Sequence, residues 1–141
     1  MKRIMYIPML CIVAVMVAIG CCNCRSKSRT SASLTGNTWQ LVKIMGQEVT
    51  PDGERYTLTF TDEGRFSGVG ACNRLMGDYE AAADGKLTIG YPASTRMLCP
   101  DPQNENLYFQ VVSEAAAYEI DGDTLMLLTD GEVRAVFVLA K

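Results

Sequence analysis

The chain contains no histidine. That absence removes Ser-His-Asp and Cys-His nucleophile activation, and with them every metal site built on imidazole. Clustered positive charge is also missing: 13 Lys and Arg are scattered among 16 Asp and Glu, for a net charge of −3. A phosphate-binding surface needs concentrated cations, so nucleic acid is not expected as a partner. No glycine-rich phosphate loop precedes a helix, and Asp121-Gly122-Asp123 is too short to form a calcium loop. The acids Asp52, Glu54, Asp62, Glu63, Asp84, Asp121, Asp123 and Asp130 mostly occupy turn sequences, so a catalytic acid pair would require tertiary convergence. The sequence therefore offers no catalytic residue, no metal set and no cofactor.

What is present begins with an export signal. Lys2 and Arg3 precede an almost wholly apolar run, Ile4 to Gly20, and Ala18-Ile19-Gly20 places small residues before Cys21. A helix of 17 residues rising ~1.5 Å each falls short of a ~30 Å hydrocarbon core, and Pro8 would kink it. Residues 1–20 thus read as a cleaved signal rather than a permanent span. A cysteine directly after the small residues resembles the bacterial lipobox, which marks Cys21 as the lipidated first residue of the mature chain. A soluble secreted protein, or Cys22 as acceptor, is the alternative; Cys22 and Cys24 have no assigned role. Several acyl chains on one residue exceed what stable anchoring needs, at ~0.8 kcal/mol per buried CH₂. Residues 21–33 contain Arg25, Lys27 and Arg29 among Ser and Thr, a composition that cannot bury a core and predicts a solvated tether. The basic residues either favour anionic headgroups or simply keep the linker soluble.

Removing residues 1–20 leaves 121 of the 141, enough for one core and too few for two ordinary domains. From Leu34 onward short strands alternate with turns. Tyr56, Leu58 and Phe60 alternate with Thr57, Thr59 and Thr61, placing three large apolar side chains on one face. Thr61-Asp62-Glu63-Gly64 supplies a turn and the chain returns over Phe66 to Cys72. Asp121-Gly122 and Asp130-Gly131 predict two tight type I′ turns dividing strands at 118–120, 124–129 and 133–139. One segment breaks the pattern. Asp101-Pro102 is an N-cap and first-turn pair, and Leu107, Val111 and Ala115 recur every four residues beside Tyr108 and Val112. A single amphipathic helix over 102–116 follows. It also contains Glu105-Asn106-Leu107-Tyr108-Phe109-Gln110, the recognition hexapeptide of a common engineered cleavage tag. Val111 continues the apolar face, which marks the hexapeptide as native helix. Seven or eight strands, one helix and no βαβ alternation predict an α+β domain: a strongly curled antiparallel sheet, or cracked β-barrel, with the helix over an opening.

Two pentads carry the remaining signal: Gly70-Ala71-Cys72-Asn73-Arg74 and Thr95-Arg96-Met97-Leu98-Cys99. Cys72 and Cys99 are the even pair within the folded region of an exported chain, so a disulfide between them is expected; two buried reduced thiols are the alternative. No Cys-x-x-Cys spacing joins them, which argues against a redox-active pair. Closing about 28 residues would stabilise the fold by roughly 3–4 kcal/mol on the chain-entropy model. Gly68 and Gly70 share a strand face and leave it bare, permitting sheet curvature, close approach of another backbone, or a cavity for an acyl chain. Asn73 is expected to bond local backbone in a turn. Arg74 and Arg96 flank the cysteines, and with Asn73 they form the candidate binding set for an anionic group or partner.

Together with Leu34-Thr35-Gly36, Trp39-Gln40-Leu41, Gly77-Asp78-Tyr79, Glu105, Phe109 and Tyr118, the pentads resemble the signature of the META domain family, the HslJ-like heat-shock lipoproteins, over residues 34–139. Leu98 departs slightly, standing where the family often has a small residue. The resemblance implies a curled sheet with one helix. It also implies a role in envelope stress tolerance, the family being associated with heat shock and novobiocin resistance. The resulting expectation is a monomeric, non-enzymatic lipoprotein with a 34–141 domain, anchored in the outer membrane and facing the periplasm. It would bind an envelope protein or lipid; binding of an acyl chain or small molecule inside the barrel is the alternative.

Overall fold

The computed structural model describes residues 31–141. The signal segment, Cys21 and most of the tether lie outside the described residues. Eleven elements follow one another: β1 (Thr38–Ile44), β2 (Gln47–Glu48), β3 (Thr57–Phe60), β4 (Arg65–Val69), β5 (Arg74–Ala81), β6 (Leu87–Ile89), β7 (Ala93–Ser94), α1 (Pro102–Ser113), β8 (Ala117–Asp121), β9 (Thr124–Thr129) and β10 (Glu132–Leu139).

Eight strands make one antiparallel wall in the order β6-β5-β4-β3-β1-β10-β9-β8, while β2 pairs with β1 and β7 with β5. The two outer strands then meet. Lys86 bridges Ala117, Leu87 N–H donates to the Ala116 carbonyl at 3.0 Å, and Tyr118 N–H donates to the Gly85 carbonyl at 2.8 Å. Full closure would abolish unpaired strand edges; this short junction nearly does so. The expected cracked barrel is thus present, with two additional two-residue strands.

Period-two patterning explains the strands. Leu58 and Phe60 are buried while Thr57 and Thr59 are half-buried on the other face. The β9–β10 turn has positive φ at Asp130 and Gly131, as a type I′ turn requires. The β8–β9 turn differs from expectation: Asp121 ends its strand, and of the turn residues Gly122 and Asp123 only Gly122 takes positive φ. Strand β5 is hard to read from sequence because Gly77 interrupts the apolar positions Leu75 and Tyr79. A Cβ at Gly77 would lie 2.8 Å from the Phe66 ring, so the gap is filled from the neighbouring strand.

Helix α1 covers one mouth of the barrel. Asp101 caps it through the Asn104 N–H at 3.4 Å, and Pro102 occupies the first turn. It stops at Ser113, short of the expected 116, because Ala116 N–H donates to the Leu128 carbonyl at 2.9 Å and draws the chain into the sheet. Tyr108 points inward, fully buried, with its hydroxyl donating to the Thr57 carbonyl at 2.6 Å. It joins one core cluster with Trp39, Leu58, Phe60, Leu125 and Phe137, all fully buried. Each such side chain contributes about 1.5–3 kcal/mol. At the other mouth, Trp39 Nε1 donates to the Leu34 carbonyl at 3.0 Å, and Ala32 N–H donates to the Gly122 carbonyl at 2.8 Å. The chain therefore enters the barrel at the end opposite α1. Among the described residues, no helix is long and apolar enough to cross a membrane.

Candidate functional site

Beside α1, three chain segments that are distant in sequence are tied together: the turn 71–73 between β4 and β5, the strap 95–99 after β7, and the first turns of the helix. Cys72 and Cys99 form a disulfide with Cα atoms 6.0 Å apart and a sequence separation of 27.

Asn73 is the hub. It is buried, and its Oδ1 accepts from the Thr95 hydroxyl at 2.8 Å and the Met97 N–H at 2.7 Å. Its Nδ2 is shared among Glu105 Oε2 at 2.7 Å, the Met97 carbonyl at 3.1 Å and Cys99 Sγ at 3.1 Å. The expectation of a local turn contact is corrected: Asn73 bonds across 22 to 32 positions of sequence, and both ends of its amide are engaged. An amide so fully committed holds the strap in place and has little left to offer a ligand.

The second hub is Glu105, whose weight sequence reasoning missed. Its side chain is buried, and Oε1 accepts from the N–H groups of Cys72 at 2.9 Å and Asn73 at 2.7 Å. Burial alone would raise its pKa. The donors from Cys72, the Asn73 side chain and backbone, and Ala71 outweigh it and hold the carboxyl below its ordinary value. The ion pairs among the described residues join Arg55 to Asp52 and Arg134 to Glu132, so no cation neutralises Glu105. A signal was available: Glu105 lies three positions before Tyr108 and seven before Val112, on the apolar face of the helix. A carboxylate on a buried stripe requires dedicated donors.

Gly68 and Gly70 acquire a different reason from curvature. A Cβ at Gly70 would lie 2.7 Å from Glu105 Oε1 and 3.0 Å from the Phe109 ring; at Gly68 it would lie 3.0 Å from the Tyr108 hydroxyl. The bare face is where α1 docks, so the space considered for an acyl chain is occupied by helix side chains.

The two arginines part company. Both are exposed, but Arg96 lines a cleft of about 510 Å³ with Met97, Leu98, Cys99 and Phe109, whereas Arg74 lines a separate groove of about 380 Å³ with Gln40 and Glu54. Around the cleft the strap is conspicuously apolar. Leu98 is fully exposed and Met97 is 59% exposed, and Tyr91, ahead of β7 and outside the cleft, is fully exposed as well.

These features define a class: a small antiparallel barrel plugged by one helix, with a disulfide-tied strap displayed beside the plug. The chain belongs to the META domain family, whose model matches residues 32–141. It is 30% identical to the heat shock protein HslJ of Escherichia coli K12 over 113 residues, 78% of this chain and 79% of that protein. A solution structure of a protein from Burkholderia xenovorans superposes with a TM-score of 0.60 at 26% identity, over 77% of this chain and 84% of the other. A crystal structure of a DUF4847 family protein from Bacteroides vulgatus shares the fold, with a TM-score of 0.56 at 17% identity over 74% and 93% of the two chains.

Proposed function

We propose that this chain is a lipid-anchored, non-enzymatic envelope protein that contributes to envelope or heat-stress tolerance by binding a protein partner through the strap around Leu98. The carrying observation is the full exposure of Leu98, beside the exposed Met97, on a strap immobilised by the Asn73 contacts to Thr95 and Met97 and by the disulfide at Cys99. Large apolar side chains held rigidly in water cost solvation that a partner would recover. The name of the HslJ relative supports the stress setting. The signal-like residues 1–20 followed by Cys21 support an anchor, most simply in the outer membrane facing the periplasm.

The alternative reading, a ligand inside the barrel, has less support. Trp39, Phe60, Tyr108 and Phe137 already fill the interior. Native mass spectrometry of protein extracted from its own membrane separates the two. The expected result is an acylated chain that carries a protein companion and loses it in the Leu98→Ser variant. Tightly held lipid with no protein companion would favour interior binding, and an unmodified Cys21 would remove the anchor.

A further inference from the structure

We infer that the Cys72, Cys99 and Glu105 cluster is a latent metal site: when the bridge is reduced, two thiolates and one carboxylate become a binding set for a zinc-class divalent cation. The sequence reading found no metal set because two sulfurs alone are too few; the helix supplies the third ligand. One donor atom from each of the three residues lies within 4.8 Å of the others.

The sulfur-to-carboxylate edge already suits the ion, and cleaving the bridge frees the two sulfurs to separate around it. A tetrahedral zinc holding sulfur at ~2.3 Å and carboxylate oxygen at ~2.0 Å separates those two atoms by roughly 3.5 Å. Cys99 Sγ and Glu105 Oε2 stand 3.4 Å apart. Oε1 accepts from the backbone N–H groups of Cys72 and Asn73 and Oε2 from Asn73 Nδ2, which leaves the carboxylate lone-pair capacity for an ion. Asn73 Nδ2 contacts both Cys99 Sγ and Oε2, so one outer residue orients two ligands, as supporting residues do in built metal sites. The bordering cleft gives an ion access from solvent and leaves a fourth position for water.

Charge gives the reason for capture. Glu105 is a buried carboxylate with no cationic partner among the described residues. A dithiol reductant cleaves the S–S bond by delivering two electrons and two protons to Cys72 and Cys99, and itself closes to a disulfide. Binding Zn²⁺ then expels the two thiol protons to solvent, and the dication offsets three adjacent negative charges. In the disulfide form the sulfurs have no thiolate to offer, so capture depends on redox state.

The test uses the chain with Cys11, Cys21, Cys22 and Cys24 changed to Ser, so that the other thiols cannot compete. It is reduced, freed of reductant without air, and titrated with Co²⁺ and Zn²⁺. The expected result is one ion per reduced chain, an absorption signature of tetrahedral cobalt thiolate, two protons released per ion, and no binding by the oxidised chain. Glu105→Gln should weaken binding at least tenfold. Should that variant fail to fold, X-ray absorption at the zinc edge of the unsubstituted Glu105 protein reads the ligands directly: two sulfurs with oxygen neighbours support the site, and four sulfurs overturn it. Equal affinity in the oxidised and reduced forms, or in Glu105→Gln and its parent, also overturns it.

Discussion

The carboxylate of Glu105 reaches both the backbone N–H and the side-chain amide of Asn73, each at 2.7 Å, across 32 positions of sequence. Through this pair the helix reads the turn that carries Cys72, and through Asn73 it reads the strap that carries Cys99. Removing either residue would leave buried donors or acceptors without partners, which is costlier than losing the bonds themselves.

Glu105 should make the fold acid-sensitive. Its carboxyl titrates below the ordinary value in the native protein because backbone and side-chain N–H donors favour the anion over the opposing effect of burial. A depressed native pKa means the unfolded chain binds the proton more readily. The stability it contributes is therefore complete above the unfolded value near 4.3 and is lost as pH falls through the lower native value. Glu105→Gln should cost about 1–3 kcal/mol at neutral pH and flatten the decline in stability below about pH 4.5, measured by urea unfolding across pH.

Gly70→Ala should destabilise by about 1–3 kcal/mol, because its methyl would sit 2.7 Å from Glu105 Oε1 and 2.8 Å from its Cγ. An exposed glycine with open space on both sides would not show this. The check is the unfolding midpoint of Gly70→Ala, which should fall without a change in denaturant slope.

Leu98→Ser should leave stability within about 0.5 kcal/mol, since Leu98 is fully exposed and no core contact is lost. The same change should release the partner retained by the unaltered protein. A large loss of stability would show that Leu98 packs against the domain instead.

The hexapeptide Glu105 to Gln110 lies within α1, with Glu105 and Tyr108 buried. The protease that recognises this tag needs an extended strand, so the native protein should resist cleavage after Gln110 under conditions that cut the denatured chain, if the enzyme tolerates Val111. Gel analysis with and without mild denaturant reads this directly.

The barrel was legible because its strands alternate in hydrophobicity and its turns carry Gly at the necessary positions; the helix was legible from Asp101-Pro102 and its four-residue repeat. Strand β5 was less so, since Gly77 removes the middle apolar position and Phe66 fills the gap from next door. The cysteines of the pentads are plain in the sequence, but the partners of Asn73 depend on a strap two dozen residues away. Local propensity cannot reveal such a contact. The bare face of Gly68 and Gly70 is readable from their alternate spacing, whereas what covers it follows only from where α1 docks.

The most direct measurement is peptide mapping of the denatured but unreduced protein after alkylation. The expected result is a linked pair of peptides containing Cys72 and Cys99, neither of them alkylated. Recovery of both as separate alkylated peptides would contradict the tied-strap arrangement on which the proposed binding surface rests.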